Sequence, residues 1–217
     1  MRIAIAGGHG AIALLTEKRL AEAGHEAVAI IRNPDHAADV LVAGGIPVVI
    51  DLEAVDAQTL ARDLQGVDAV VFAAGAGPGS SAERKLTVDR DGAVLLADAA
   101  ELAGIRRFVL VSSMGADASL PDSDDVFQVY LRAKGEADEA VRSRDLDYTI
   151  IRPGGLTDEA GTGQVTLAGS TGRGGIPRDD VAAIIVATLL DGTGIGAQFE
   201  AIAGDTPVAE ALEAVLY

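Results

Sequence analysis

The chain has 217 residues, a formal charge of −16 from 17 Lys and Arg against 33 Asp and Glu, three histidines and no cysteine. That length suits one domain with a substantial core, while the charge, with no basic run, excludes nucleic acid and an anionic membrane surface as partners. Disulfides, thiol chemistry and thiolate metal sites are excluded as well, and no metal site is expected, because the histidines do not cluster in sequence.

The start, Met1-Arg2-Ile3, already reads as the first strand, so no signal peptide is expected. No apolar run has the length needed to cross a bilayer, and a cytoplasmic protein is the default expectation. Strand Ile3 to Ala6 runs into Gly7-Gly8-His9-Gly10-Ala11-Ile12-Ala13 and then into a helix that stops at Gly24. The demand behind such a stretch is a diphosphate. Gly7 turns the chain off the strand, Gly10 lets backbone approach a phosphate, and Ala13 lets the helix pack closely on the sheet. The free N–H groups of the first helical turn then face the anion.

The second strand, Ala27 to Ile31, is almost without polar residues, and a short helix near Ala37 to Ala43 leads to a third strand, Ile46 to Ile50. Past the second strand comes Arg32 rather than a carboxylate. An acidic residue there would bind the ribose 2′-OH of NAD, whereas a guanidinium fork suits the 2′-phosphate, so NADP(H) is expected over NAD(H). The other reading is an arginine ending a strand in solvent. Asp51 either accepts from the adenine amino group or forms a turn.

Asp56 is placed to cap a helix over Ala57 to Leu64. A fourth strand, Ala69 to Ala73, opens into the loop Gly75 to Ser81. One long helix is expected from Ala82 to Ala103, then a strand from Arg107 to Ser112, a loop, and a helix from about Asp124 to Arg144. A sixth strand, Tyr148 to Ile151, ends at Arg152-Pro153-Gly154-Gly155. A short strand at Gln164 to Leu167, a helix from Arg178 to Leu190, a last strand at 198–202 and a helix from Pro207 complete the order. Strands alternating with helices predict an α/β Rossmann-type fold: a doubly wound parallel sheet in three αβα layers, forming a single domain over 1–217.

Ligands bind such sheets beyond the carboxyl ends of the strands, which draws attention to Ala74 to Gly77, Ser112, Ser113 and Arg152 to Gly155. Tyr130 and Lys134 are four apart on one helical face. There an ammonium eases ionisation of the phenol, and a nearby serine hydroxyl holds the carbonyl that the phenol protonates. The same spacing also fits a core aromatic with a lysine reaching past it to solvent, and the serines equally fit a strand end satisfying local backbone.

Taken together, Gly7-x-x-Gly10-x-x-Ala13, Asp51, Ala73-Ala74-Gly75, Ser112-Ser113-Met114-Gly115, Tyr130-x-x-x-Lys134 and Arg152-Pro153-Gly154 resemble short-chain dehydrogenases/reductases. The segments Leu146 to Gly154 and Arg178 to Ala182 make the chain more similar to their atypical, NAD(P)H-binding NmrA-like branch. This resemblance, over essentially the whole chain, implies a reductase passing hydride from NADP(H) to a small carbonyl, quinone or flavin-like acceptor. It implies Tyr130 as acid/base, Lys134 assisting it and holding the nicotinamide ribose, and Ser113, or else Ser112, orienting the substrate. Gly7, Gly8, His9, Gly10, Ala11, Ile12, Arg32, Asp51, Leu52, Ala73, Ala74, Gly75, Lys134, Pro153 and Gly154 are the implied cofactor-binding set. The substrate side would lie within about 153–177. The implied partner is a small-molecule substrate, for a monomer or homodimer; the alternatives are a redox-sensing regulator without turnover and, last, a sugar-nucleotide epimerase or dehydratase.

Overall fold

The computed structural model describes residues 1–77 and 79–215. Strands lacking polar residues lie where both faces are covered: Ile3 to Ala6 and Ala69 to Phe72 are wholly shielded from solvent. They belong to β1 (Arg2–Ala6) and β4 (Ala69–Phe72), which pair in parallel at the centre of the sheet. Outward from β1 come β2 (Glu26–Ile31) and β3 (Ile46–Val49); outward from β4 come β5 (Arg107–Val111) and β6 (Asp147–Pro153). The chain therefore reverses its direction of travel across the sheet between β1 and β4, which opens a crevice at their carboxyl ends.

Helices cover both faces. One face packs on α3 (Ala57–Asp63), α5 (Gly92–Ala103) and α6 (Val126–Arg142), through Leu60, Leu96 and Val141 among others. The other packs on α1 (Ala11–Glu22), α7 (Arg178–Leu190) and α8 (Val208–Ala214), with α2 (Ala37–Val42) beside α1. Asp56 does cap α3, its Oδ1 accepting from Thr59 N at 2.7 Å. Arg107, almost completely buried, donates to the backbone carbonyls of Asp147 at 2.7 Å and Thr188 at 2.8 Å, stitching β5 to β6 and α7. Burial pulls its pKa down to about 10, which leaves it charged at neutral pH.

The expected doubly wound α/β fold is present, its sheet mostly parallel but not wholly so: β10 (Ala197–Ala203) pairs parallel with β6, while β8 (Gln164–Ala168) runs antiparallel to β10 and to β11 (Thr206–Pro207). A separate two-stranded ribbon of β7 (Gly155–Thr157) and β9 (Gly175–Pro177) lies within the segment expected to face substrate. The long helix of 82–103 is also not uniform. It comprises α4 (Ala82–Arg84), a π-helical stretch Lys85–Asp91, and α5. π turns inside helices are uncommon and concentrate where a side chain must be re-aimed.

Candidate functional site

At the crevice, Gly7 has φ +82°, and a Cβ there would come 2.5 Å from Ala74 Cα, so a glycine is required both by conformation and by the close approach of the neighbouring strand end. Gly8 donates to Ile30 O at 2.9 Å and Gly10 to Gly7 O at 2.8 Å, which fixes the loop that launches α1. The N-cap of α1 is Gly10, which offers no side-chain cap, and the first turn carries no acidic residue. The first-turn N–H groups, those of Ala11 and Ile12 included, are thus left for an acceptor from outside the helix.

Below them lies a cavity of about 390 Å³ whose lining includes Gly7, His9, Gly10, Arg32, Asp51 and Glu53. Leu52, Ala73, Ala74 and Gly75 line it too; Gly8, Ala11, Ile12, Ser112, Ser113, Tyr130, Lys134, Pro153 and Gly154 do not. Most of the expected cofactor residues at the ends of β1 to β4 therefore converge on one hollow; of the others, Gly8, Ala11 and Ile12 belong to the turn and helix start beside it, Ser112, Ser113, Pro153 and Gly154 lie at the ends of β5 and β6, and Tyr130 and Lys134 lie on α6. Asp51 accepts from Glu53 N at 3.0 Å, a turn-forming role that leaves it in the cavity wall. His9 stacks on His36, ring centroids 3.6 Å apart, and pairs with Asp39 through Nε2 at 2.8 Å.

Arg32 has a partner that its own segment does not supply. No carboxylate stands directly after β2, yet one comes close from the turn after β3: Glu53 Oε2 accepts from Arg32 at 3.3 Å and from Arg84 at 2.9 Å. Thr87 donates to Glu53 Oε1 at 2.6 Å. Arg84 and Glu53 were not foreseen, because nothing local in the sequence says that the turn after β3 meets the start of α4.

Beside the cavity the strand ends of β5 and β6 are tied together, Ser112 N donating to Ile151 O at 2.8 Å and Met114 N to Pro153 O at 3.0 Å. Above them, α6 carries Tyr130 and Lys134. Lys134 is buried, with Nζ 3.1 Å from Val111 O and 3.4 Å from Asp89 Oδ1. The other oxygen of Asp89, itself 1% exposed, accepts from Ala76 N at 3.1 Å. Since Ala76 lines the cavity, Asp89 links the cavity wall to Lys134. The π stretch aims Lys85 the same way: its Nζ donates to Gly77 O at 2.8 Å and lies 5.1 Å from the centre of the half-buried Tyr130 ring. Lys85 and Asp89 are four apart, a signal as visible as Tyr130 and Lys134, but without the fold it singles out nothing. Of the loop Gly75 to Ser81, Pro78 lies outside the described residues.

The two serines divide. Ser113 is half-buried, with Oγ 3.3 Å from Met114 O, whereas Ser112 is buried beside Asp138. Asp138 is fully buried and holds Arg152 through Oδ2 at 2.8 and 2.7 Å. Burial pushes its carboxyl up, while the neighbouring Ser112 hydroxyl and the Arg152 and Lys134 cations draw it back. Ser112 Oγ and Asp138 Oδ1 have no hydrogen bond of good geometry among the described residues. Gly154 is explained by packing: a Cβ there would meet Gly174 O at 2.3 Å.

Comparison with known proteins places these features in a wider setting. The model of an NAD(P)H-binding family matches residues 7–192. Bacillus subtilis YhfK, named an uncharacterized sugar epimerase, is 39% identical over 87% of this chain and 87% of its own. A Bacillus halodurans protein provisionally named an NAD-dependent epimerase/dehydratase superposes with a TM-score of 0.90, 36% identical over 99% of this chain and all of that one. ChuY of Escherichia coli O157:H7, an anaerobillin reductase, gives 0.78 at 26% identity, over 94% of this chain and 98% of its own.

Proposed function

The chain belongs to the NAD(P)H-binding family, and we propose that it is a cytoplasmic reductase of the atypical, NmrA-like short-chain kind that prefers NADP(H). The observation that carries this reading is the uncapped start of α1 over the cavity, with Asp89 joining the far wall of that cavity to Lys134. Gly7, Gly10 and the first-turn N–H groups of α1 suit a diphosphate, Asp51 and Leu52 the adenine, and Arg32 a 2′-phosphate. The residues present therefore fit a dinucleotide. Its nicotinamide, when bound, supplies the hydride.

The remaining work falls to this chain's own side chains. Tyr130 Oη gives a proton to the substrate oxygen as hydride arrives at carbon, and Lys134, its ammonium pinned between Val111 O and Asp89, holds the nicotinamide ribose. Ser113 orients the substrate carbonyl; its partial exposure suits that task better than the burial of Ser112 against Asp138. Pro153 and Gly154 form the wall beside the nicotinamide, and the β7–β9 ribbon lies on the substrate side, within 153–177. The reductase name of ChuY supports net reduction. The epimerase names favour a second reading, in which the bound nicotinamide would take hydride from one sugar substrate and return it, while Tyr130 takes and returns the hydroxyl proton.

Titration with NADPH and NADH, followed by 340 nm absorbance with quinones, flavins, aldehydes and a linear tetrapyrrole, separates these readings. Tight NADPH binding with net consumption is the expected result. Binding without consumption of any acceptor, but with interconversion of a nucleotide sugar, would replace the reductase with the epimerase; binding with neither would leave a redox sensor.

A further inference from the structure

We infer that Glu53 sets nucleotide choice at the adenosine end of the cavity, by holding the two guanidinium groups that a 2′-phosphate would need. The inference rests on the dinucleotide reading above and adds to it a specificity-determining residue outside the loop that follows β2. Arg32 comes from the end of β2, Arg84 from α4 and Glu53 from the turn after β3, and all three line the cavity. Glu53 is no stray surface partner. Its carboxylate receives Arg32 at 3.3 Å, Arg84 at 2.9 Å and Thr87 at 2.6 Å, and its own N–H is fixed on Asp51. Three donors, one from the end of β2 and two from the helix of 82–103, hold the carboxylate along the cavity wall, with 28% of the side chain exposed.

The charges decide the consequence. Two guanidinium cations face two carboxylates, those of Glu53 and Asp51, so the lining here is close to neutral; the His9–His36 stack, paired with Asp39, and the amide of Asn33 complete the rim. Glu53 takes one N–H of each guanidinium and offsets part of their charge, so a dianionic 2′-phosphate would share the two cations with it. A ribose 2′-OH meets no such opposition and finds an acceptor in the same carboxylate. Glu53 thus restrains the NADP preference that Arg32 and Arg84 would otherwise impose, and removing its charge while keeping its shape should strengthen that preference.

The test is a binding titration that needs no substrate. Affinities of wild type, Glu53→Gln and Arg84→Ala for NADPH and NADH, and for the half-molecules 2′,5′-ADP and 5′-AMP, are measured by intrinsic tyrosine fluorescence or calorimetry. Glu53→Gln should raise the ratio of NADPH to NADH affinity about tenfold, with a matching rise for 2′,5′-ADP over 5′-AMP, and Arg84→Ala should move both ratios the other way. A ratio that stays level or falls in Glu53→Gln, in a protein that binds either dinucleotide, overturns the inference and leaves the dinucleotide site standing. Wild type that binds no dinucleotide overturns both.

Discussion

Tyr130→Phe is expected to lower kcat by about 10²- to 10⁴-fold, the usual range for losing a positioned proton donor, with the affinity for NADPH within about twofold of wild type. Phenylalanine can take the tyrosine's place because the ring contacts hold it: Phe127 stacks on it at 6.0 Å between centroids, and Lys85 covers its face. Only the hydroxyl is lost. A loss confined to kcat would mean that the hydroxyl acts in the transition state, whereas a rise in KM alone would make it a binding group. A variant that keeps full activity ends the proposed mechanism, and steady-state kinetics on the acceptor identified by the 340 nm screen would show it. The control is the fluorescence titration, since a misfolded variant would lose both quantities together.

The second large effect concerns stability. Glu17 of α1 is fully buried, and neither carboxyl oxygen has a hydrogen-bond partner among the described residues. It is pressed against the turn that ends α2; a Cβ on Gly45 would stand 2.7 Å from Oε2. Desolvation pushes its pKa from 4.5 up to about 8. Below pH 4.5 the carboxyl is protonated in folded and unfolded chains alike and no penalty arises. Between there and pH 8 the unfolded chain releases the proton while the folded chain keeps it, so stability falls as pH rises. The ceiling on that loss is about 4–5 kcal/mol, and local relaxation with water reaching the group reduces it to about 1–3 kcal/mol. Glu17→Gln, which cannot ionise, should therefore be more stable than wild type by about that margin at pH 8 and nearly equal to it at pH 5. Urea denaturation at the two pH values measures this. Parallel pH dependence in the two proteins would show that Glu17 finds an acceptable environment as a carboxylate.

The fold was readable where burial leaves no chemical choice. β1, β2, β4 and β5 are runs of Val, Ile, Ala and Phe covered on both faces, and such a run has few other places to go. Asp56 was readable because an N-cap acts within three residues. What escaped depends on partners far away in sequence. The ribbon of β7 and β9 has three residues in each strand, paired across about twenty positions, and no local pattern reports it. The antiparallel direction of β8 is set by β10, more than thirty residues later. In the candidate site, the glycine turn at the end of β1 and the placing of Tyr130 and Lys134 on one helix were legible from spacing, but the pairing of Arg32 with Glu53, 21 residues on, was not. Asp89 was hidden in a helix that reads as regular, because a widened turn leaves no mark in composition.

That widened turn also restricts how the chain can change in length. Lys85–Asp91 accommodates more residues per turn than its flanks, so removing one residue there would restore a regular ladder and rotate α4 by about 100° relative to α5. Arg84 and Asp89 could not then both keep their partners, one at the cavity and one at Lys134. A single-residue deletion at Val88 should abolish NADPH binding, read by the same titration. Within this one helix, residue count is as strict a requirement as residue identity.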